Sequence, residues 1–77
     1  QKAYGGVNES ALLVLNYALS LEHLEADFYT RAVNANNAPT PAALAALTKI
    51  RDDERAHVTF LQNAIRSAGG TPAAANA

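Results

Sequence analysis

Glu54 and His57, within the run Asp52-Asp53-Glu54-Arg55-Ala56-His57, break an otherwise apolar helical pattern and are the side chains best suited to chemistry. Counting in alternating threes and fours gives Ala43, Leu47, Ile50, Glu54, His57, Leu61, Ala64 and Ala68, the spacing of one buried helix seam. Removing a lone carboxylate from water is costly unless it is paired, protonated or bound to a metal. A Glu followed three residues later by a His places both side chains on one face, about a turn apart, where they can share a cation. Taken alone, the pattern more often marks a surface pair or a hydrogen-bonded core histidine.

A second apolar segment repeats the anomaly. Leu12, Leu15, Leu19, Glu22, Ala26, Tyr29 and Val33 follow the same alternation, again with one acidic residue at mid-seam. Glu22 and Glu54 supply two oxygens and His57 one nitrogen. That donor set suits iron, manganese or zinc better than calcium, which takes more oxygens. Glu25 also lies in the apolar arc and is an alternative or supporting ligand. Tyr29 could hydrogen-bond a ligand carboxylate. His23 falls on the polar strip with Asn16, Ser20, Asp27, Thr30 and Arg31, and is expected in solvent. Lys49, Arg51, Asp52, Asp53 and Arg55 read as a charged outer face.

The elements that must position these groups are two helices. The first runs from about residue 9 to 33, with Asn8 or Ser10 as N-cap. Asn34 to Pro39 forms a loop, and Thr40-Pro41 opens the second helix, which runs to about residue 68. Gly69-Gly70 closes it, leaving residues 1–7 and 71–77 as flexible ends. So short a loop makes an antiparallel hairpin. At ~1.5 Å per residue, Glu22 lies about 18 Å before the end of the first helix and Glu54 about 20 Å after the start of the second. The two anomalies therefore come level.

The bulk composition bounds the class. With 49% hydrophobic and 17% charged residues, the 77-residue chain is not disordered; it makes one small domain, or part of one, and its two helical seams make it all-α. A net charge of −1 gives no reason to expect nucleic acid or an anionic membrane as partner. No apolar run approaches the ~20 residues of a membrane span. The absence of cysteine excludes thiolate metal sites. Two helices enclose little core, so a second copy of the chain or a missing segment is expected to complete the bundle. Gln1 in place of methionine implies a removed leader or an internal piece of a longer chain.

The stretches Leu15-Asn16-Tyr17-Ala18-Leu19-Ser20-Leu21-Glu22-His23-Leu24-Glu25-Ala26-Asp27-Phe28-Tyr29 and Asp53-Glu54-Arg55-Ala56-His57-Val58-Thr59-Phe60-Leu61 resemble the first two helices of the ferritin-like superfamily. The likeness spans about residues 8 to 72 and is nearest to the secreted stress- or desiccation-related ferritin-like proteins. Ferritins and bacterioferritins place a tyrosine seven residues after a first-helix Glu ligand, which matches Glu22 and Tyr29 and favours Glu22 over Glu25. Glu54 and His57 match the second-helix motif. The resemblance implies half of a ferritin-like four-helix bundle and half of a di-iron carboxylate site. Related chains continue into a second helical pair, whereas encapsulated ferritins dimerise two-helix chains. It further implies a homo-oligomer, a secreted or periplasmic location, and a role in iron oxidation, iron storage or oxidative-stress protection. Ferroxidase activity needs an open coordination position besides the ligands. The alternative is a self-assembling helical module with the same fold and an empty site.

Overall fold

The computed structural model describes residues 9–75, which form two antiparallel helices and an ordered strap that follows them. Helix α1 spans Glu9–Asn34 and α2 spans Pro41–Ser67. Neither contains an interior glycine or proline, and alanine, leucine and charged residues of good helix propensity fill both. α1 runs one residue further than the expected 33, and α2 stops one residue short of the expected 68. Asn8 lies outside the described residues, as do residues 1–7 and 76–77, while Ser10 lies inside α1.

Local chemistry sets the ends. Asn36, at φ 53°, takes the left-handed turn after α1 that asparagine tolerates better than most residues. Its N–H donates to the Val33 carbonyl at 3.1 Å. Thr40 caps α2 from extended backbone, its Oγ1 accepting from the Ala43 N–H at 3.0 Å, with Pro41 next in the first turn. Removing that cap in Thr40→Ala is expected to lower stability by about 1 kcal/mol, read as a drop in the thermal midpoint of the helical signal.

At the far end, Gly69 adopts φ 87° and donates to the Arg66 carbonyl, while Gly70 donates to the Ile65 carbonyl at 2.9 Å. Those two bonds are the Schellman pattern. Gly70 also packs closely: a Cβ there would sit 2.9 Å from Leu12 Cδ2 and 3.1 Å from Ile65 Cγ2, so the Leu12 side chain would have to shift.

The core is narrow. Leu12, Leu19, Ile65 and Ala68 are buried, with Leu15, Val58, Leu61 and Ala73 packed around them. It therefore occupies the half of the hairpin remote from the 35–40 loop. The expected seams are incompletely covered: Ile50 and His57 are exposed, because one helix can shield only part of its neighbour's apolar arc. Among the described residues no helix is long and apolar enough to cross a membrane.

The segment after Gly70 differs from the expected flexible linker. Asn16 holds it from both sides, its Nδ2 donating to the Thr71 carbonyl at 3.0 Å and its Oδ1 accepting from the Ala73 N–H at 2.6 Å. His23 Nε2 stands 3.1 Å from the Ala73 carbonyl. His23 is thus a half-buried clamp rather than a solvated residue. The polar strip of α1 has found a backbone partner that its own periodicity does not reveal.

Candidate metal centre

The hairpin has two grooves. His23 follows Glu22 by one residue, about 100° around the helix. Asn16 and His23 therefore hold the strap in one groove, which also carries the Arg55 bond to Thr30 Oγ1 at 3.1 Å. Glu22, Glu54 and His57 gather at the other. The strap lies along the Asn16 and His23 side, and on the other side the His57 side chain is 57% exposed.

At the front, one donor atom each from Glu22, Glu54 and His57 lies within 4.8 Å of the other two. His57 Nδ1 stands 3.5 Å from Glu22 Oε1 and 3.4 Å from Glu54 Oε1. Both separations exceed ordinary charge-assisted hydrogen bonds. The carboxylates are mostly covered, at 24% and 16% side-chain exposure, whereas His57 is 57% exposed. Glu22 Oε1 and Glu54 Oε1 are buried and accept no hydrogen bond. Two acceptors facing each other need a proton or a cation between them, since neither can donate when ionised.

Glu54 registers that need. Its carboxyl is held above its ordinary value of 4.5, first because a protonated form can hydrogen-bond Glu22, then through burial, then through the Glu22 charge. The neighbouring His57 pulls in the opposite direction. Because the folded chain binds this proton more tightly than the unfolded one, the group favours folding fully below its unfolded value. That contribution is lost as pH rises through the raised folded value. Metal-free protein is therefore expected to lose stability relative to Glu54→Gln as pH climbs from 4.5 toward neutrality. Urea midpoints for both proteins in chelator, subtracted at each pH, give the slope. A flat difference would remove the unsatisfied carboxylate pair from the account.

The remaining candidates lie around this cluster. Tyr29 stands two turns beyond Glu22 on the same side of α1, partly buried, its ring edge-to-face with Phe28 at 5.0 Å between centroids. Glu25 is exposed and is not among the described residues whose donor atoms converge. On the charged face of α2, Lys49 pairs with Asp53 at 2.8 Å in the open, whereas Arg51, paired with Asp52 at 3.0 Å, is only 21% exposed; on α1, Arg31 pairs with Asp27 at 2.8 Å.

The family model of the ferritin-like domain matches residues 10–77, nearly the whole chain. The chain belongs to the ferritin-like family. No curated protein and no solved structure matches it. In this ferritin-like hairpin the acidic anomalies on both helices fall at one level, as their counted rise requires. Asn16 and His23, which hold the strap, are not singled out by the sequence pattern. Their seven-residue spacing marks a common face, but what they bind is main chain, which leaves no side-chain signature to search for.

Proposed function

We propose that this ferritin-like chain binds transition-metal ions through Glu22, Glu54 and His57, and that a second hairpin supplies the matching three groups across the open front groove. The observation that carries the reading is the pair of buried, unsatisfied oxygens Glu22 Oε1 and Glu54 Oε1 facing the His57 imidazole. Iron fits the two-oxygen, one-nitrogen set best, and manganese or zinc would be accepted by the same donors. Two hairpins would bring four carboxylates and two imidazoles, the arrangement of carboxylate-bridged di-metal four-helix bundles. Four carboxylates so close cannot all stay ionised without cations, and two divalent ions would balance them.

The chain's own geometry supports approach from the front. The strap held by Asn16 and His23 occupies part of the other side of the hairpin. His57, Ile50 and Phe60 are exposed along the front and flank of α2. Covering that surface with a second hairpin would desolvate His57 and fix its ring. Tyr29 lies on the side of α1 where its hydroxyl could hydrogen-bond a ligand carboxylate, and Glu25 stands one turn from Glu22 as an additional acid at the rim. A redox-active ion held there would supply electron transfer to dioxygen or peroxide, which is the basis of a ferroxidase or oxidant-scavenging role.

Anaerobic titration with ferrous iron followed by admission of oxygen tests the steps in order. Saturable binding at one ion per chain, lost in Glu54→Ala and in His57→Ala, supports the metal site. Accelerated ferrous oxidation on adding oxygen supports the enzymatic role. Absence of saturable binding would return the chain to a metal-free helical module.

A further inference from the structure

A second apolar seam on α1 has no part in the metal site. Val14, Tyr17, Leu21, Leu24 and Phe28 recur at alternating threes and fours, and all are exposed, between 44% and 68%. Leu21 and Phe28 each stand nine residues after the buried Leu12 and Leu19. Nine residues are about two and a half helical turns, so this seam faces directly away from α2. In a four-helix bundle a helix meets its two neighbours across roughly a right angle. A hairpin docked at the front groove therefore leaves the centre of this seam on the outside of the bundle.

We infer that the outward seam of α1 packs against the same seam of a second copy of this chain, in an antiparallel two-fold contact distinct from the one that would complete the metal site. Four observations select this occupant. The average spacing of 3.5 residues is that of a helix packed along another helix. The seam is nearly symmetrical about Leu21, with Val14 and Phe28 each seven residues away, so a two-fold axis at Leu21 sets small against large at both ends. Including Leu13, which is 72% exposed beside it, the apolar surface comes to roughly 700 Å² per copy, taking about 200 Å² for a fully exposed large side chain. Two copies would bury roughly 1,400 Å², within the range of specific stable interfaces. Finally, the seam lacks the basic rim that a membrane-surface helix carries, since Arg31 is paired with Asp27 and the other flanking charge is Glu25.

Sedimentation velocity on the full chain at about 1 to 100 μM, with and without ferrous ion, tests the contact alongside Tyr17→Asp/Leu24→Asp and Leu21→Cys. The wild type should associate, and the double aspartate variant should show a lower mass under either condition while keeping the same ferrous-binding curve. Leu21→Cys should form a disulfide-linked pair on mild oxidation, because the two-fold axis passes beside that residue. An unchanged mass in the double variant, or no cross-link at Leu21→Cys, overturns the contact. Should the double variant fail to fold by circular dichroism, the cross-link decides alone. Loss of metal binding in Glu54→Ala with the cross-link intact separates this interface from the fate of the metal site.

Discussion

Ferrous ion added without oxygen is expected to raise the thermal midpoint of the wild-type chain, and Glu54→Ala is expected to abolish the rise. The motive is the facing pair of unsatisfied oxygens on Glu22 and Glu54. An ion that binds the folded state alone stabilises it by mass action, by about 2.7 kcal/mol at a hundredfold excess over its dissociation constant. For a chain of this length that is a shift of about 10 to 20 °C. Zinc serves as a redox-inert control and should act in the same direction. In the absence of metal the expectation reverses. Exchanging Glu22, Glu54 and His57 together for leucine should leave stability unchanged or raise it, because a partly satisfied polar cluster is worse than an apolar one of similar volume. A metal-independent loss of stability in the triple variant would mean that the cluster is structural, held together by its own proton and imidazole. Differential scanning fluorimetry across both conditions separates the outcomes in a single set of curves.

Leu19→Ala should have the largest effect on the hairpin itself. Leu19 and Ile65 are the two fully buried large side chains, and they lie in a core of four buried residues. Truncating a buried leucine costs about 2 to 5 kcal/mol, the spread reflecting how far the site can collapse. Small domains of this size have only about 4 to 12 kcal/mol in total. Leu19→Ala should therefore lose much of its helical signal near physiological temperature, whereas Leu24→Ala, on the outward seam, should retain it in dilute solution. Leu19 is three residues from Glu22, so the same change should weaken metal binding through loss of the α1–α2 register. Denaturant midpoints measured with and without zinc would show this coupling. Equal stability of Leu19→Ala and wild type would place the core elsewhere.

The helices and the convergence of Glu22, Glu54 and His57 were legible in the amino-acid sequence because each depends on local rules. Thr40-Pro41 and Gly69-Gly70 act on their own backbone within a few residues, through a cap bond and a left-handed turn. A short loop makes the helices antiparallel, and a constant rise per residue then fixes which side chains come level. The interruption of two apolar seams by acids at the same height follows from counting alone.

What the counting could not supply was decided by contacts between distant residues. The bonds from Asn16 and His23 to Ala73 join positions 57 and 50 residues apart, and they turn an apparent linker into a strap held against α1. The close approach of Gly70 to Leu12 and Ile65 steers that strap, and no periodicity along either helix records it. Nor does a helical wheel say which part of a wide apolar arc a single neighbour will cover. Packing α2 against Leu12 and Leu19 left His57 at the open front groove and Val14, Tyr17, Leu21, Leu24 and Phe28 on the opposite side of α1. Helix formation is governed by bonds four residues apart, so sequence suffices for it. The choice among faces depends on side-chain volumes meeting across the chain, and only the tertiary structure makes that choice.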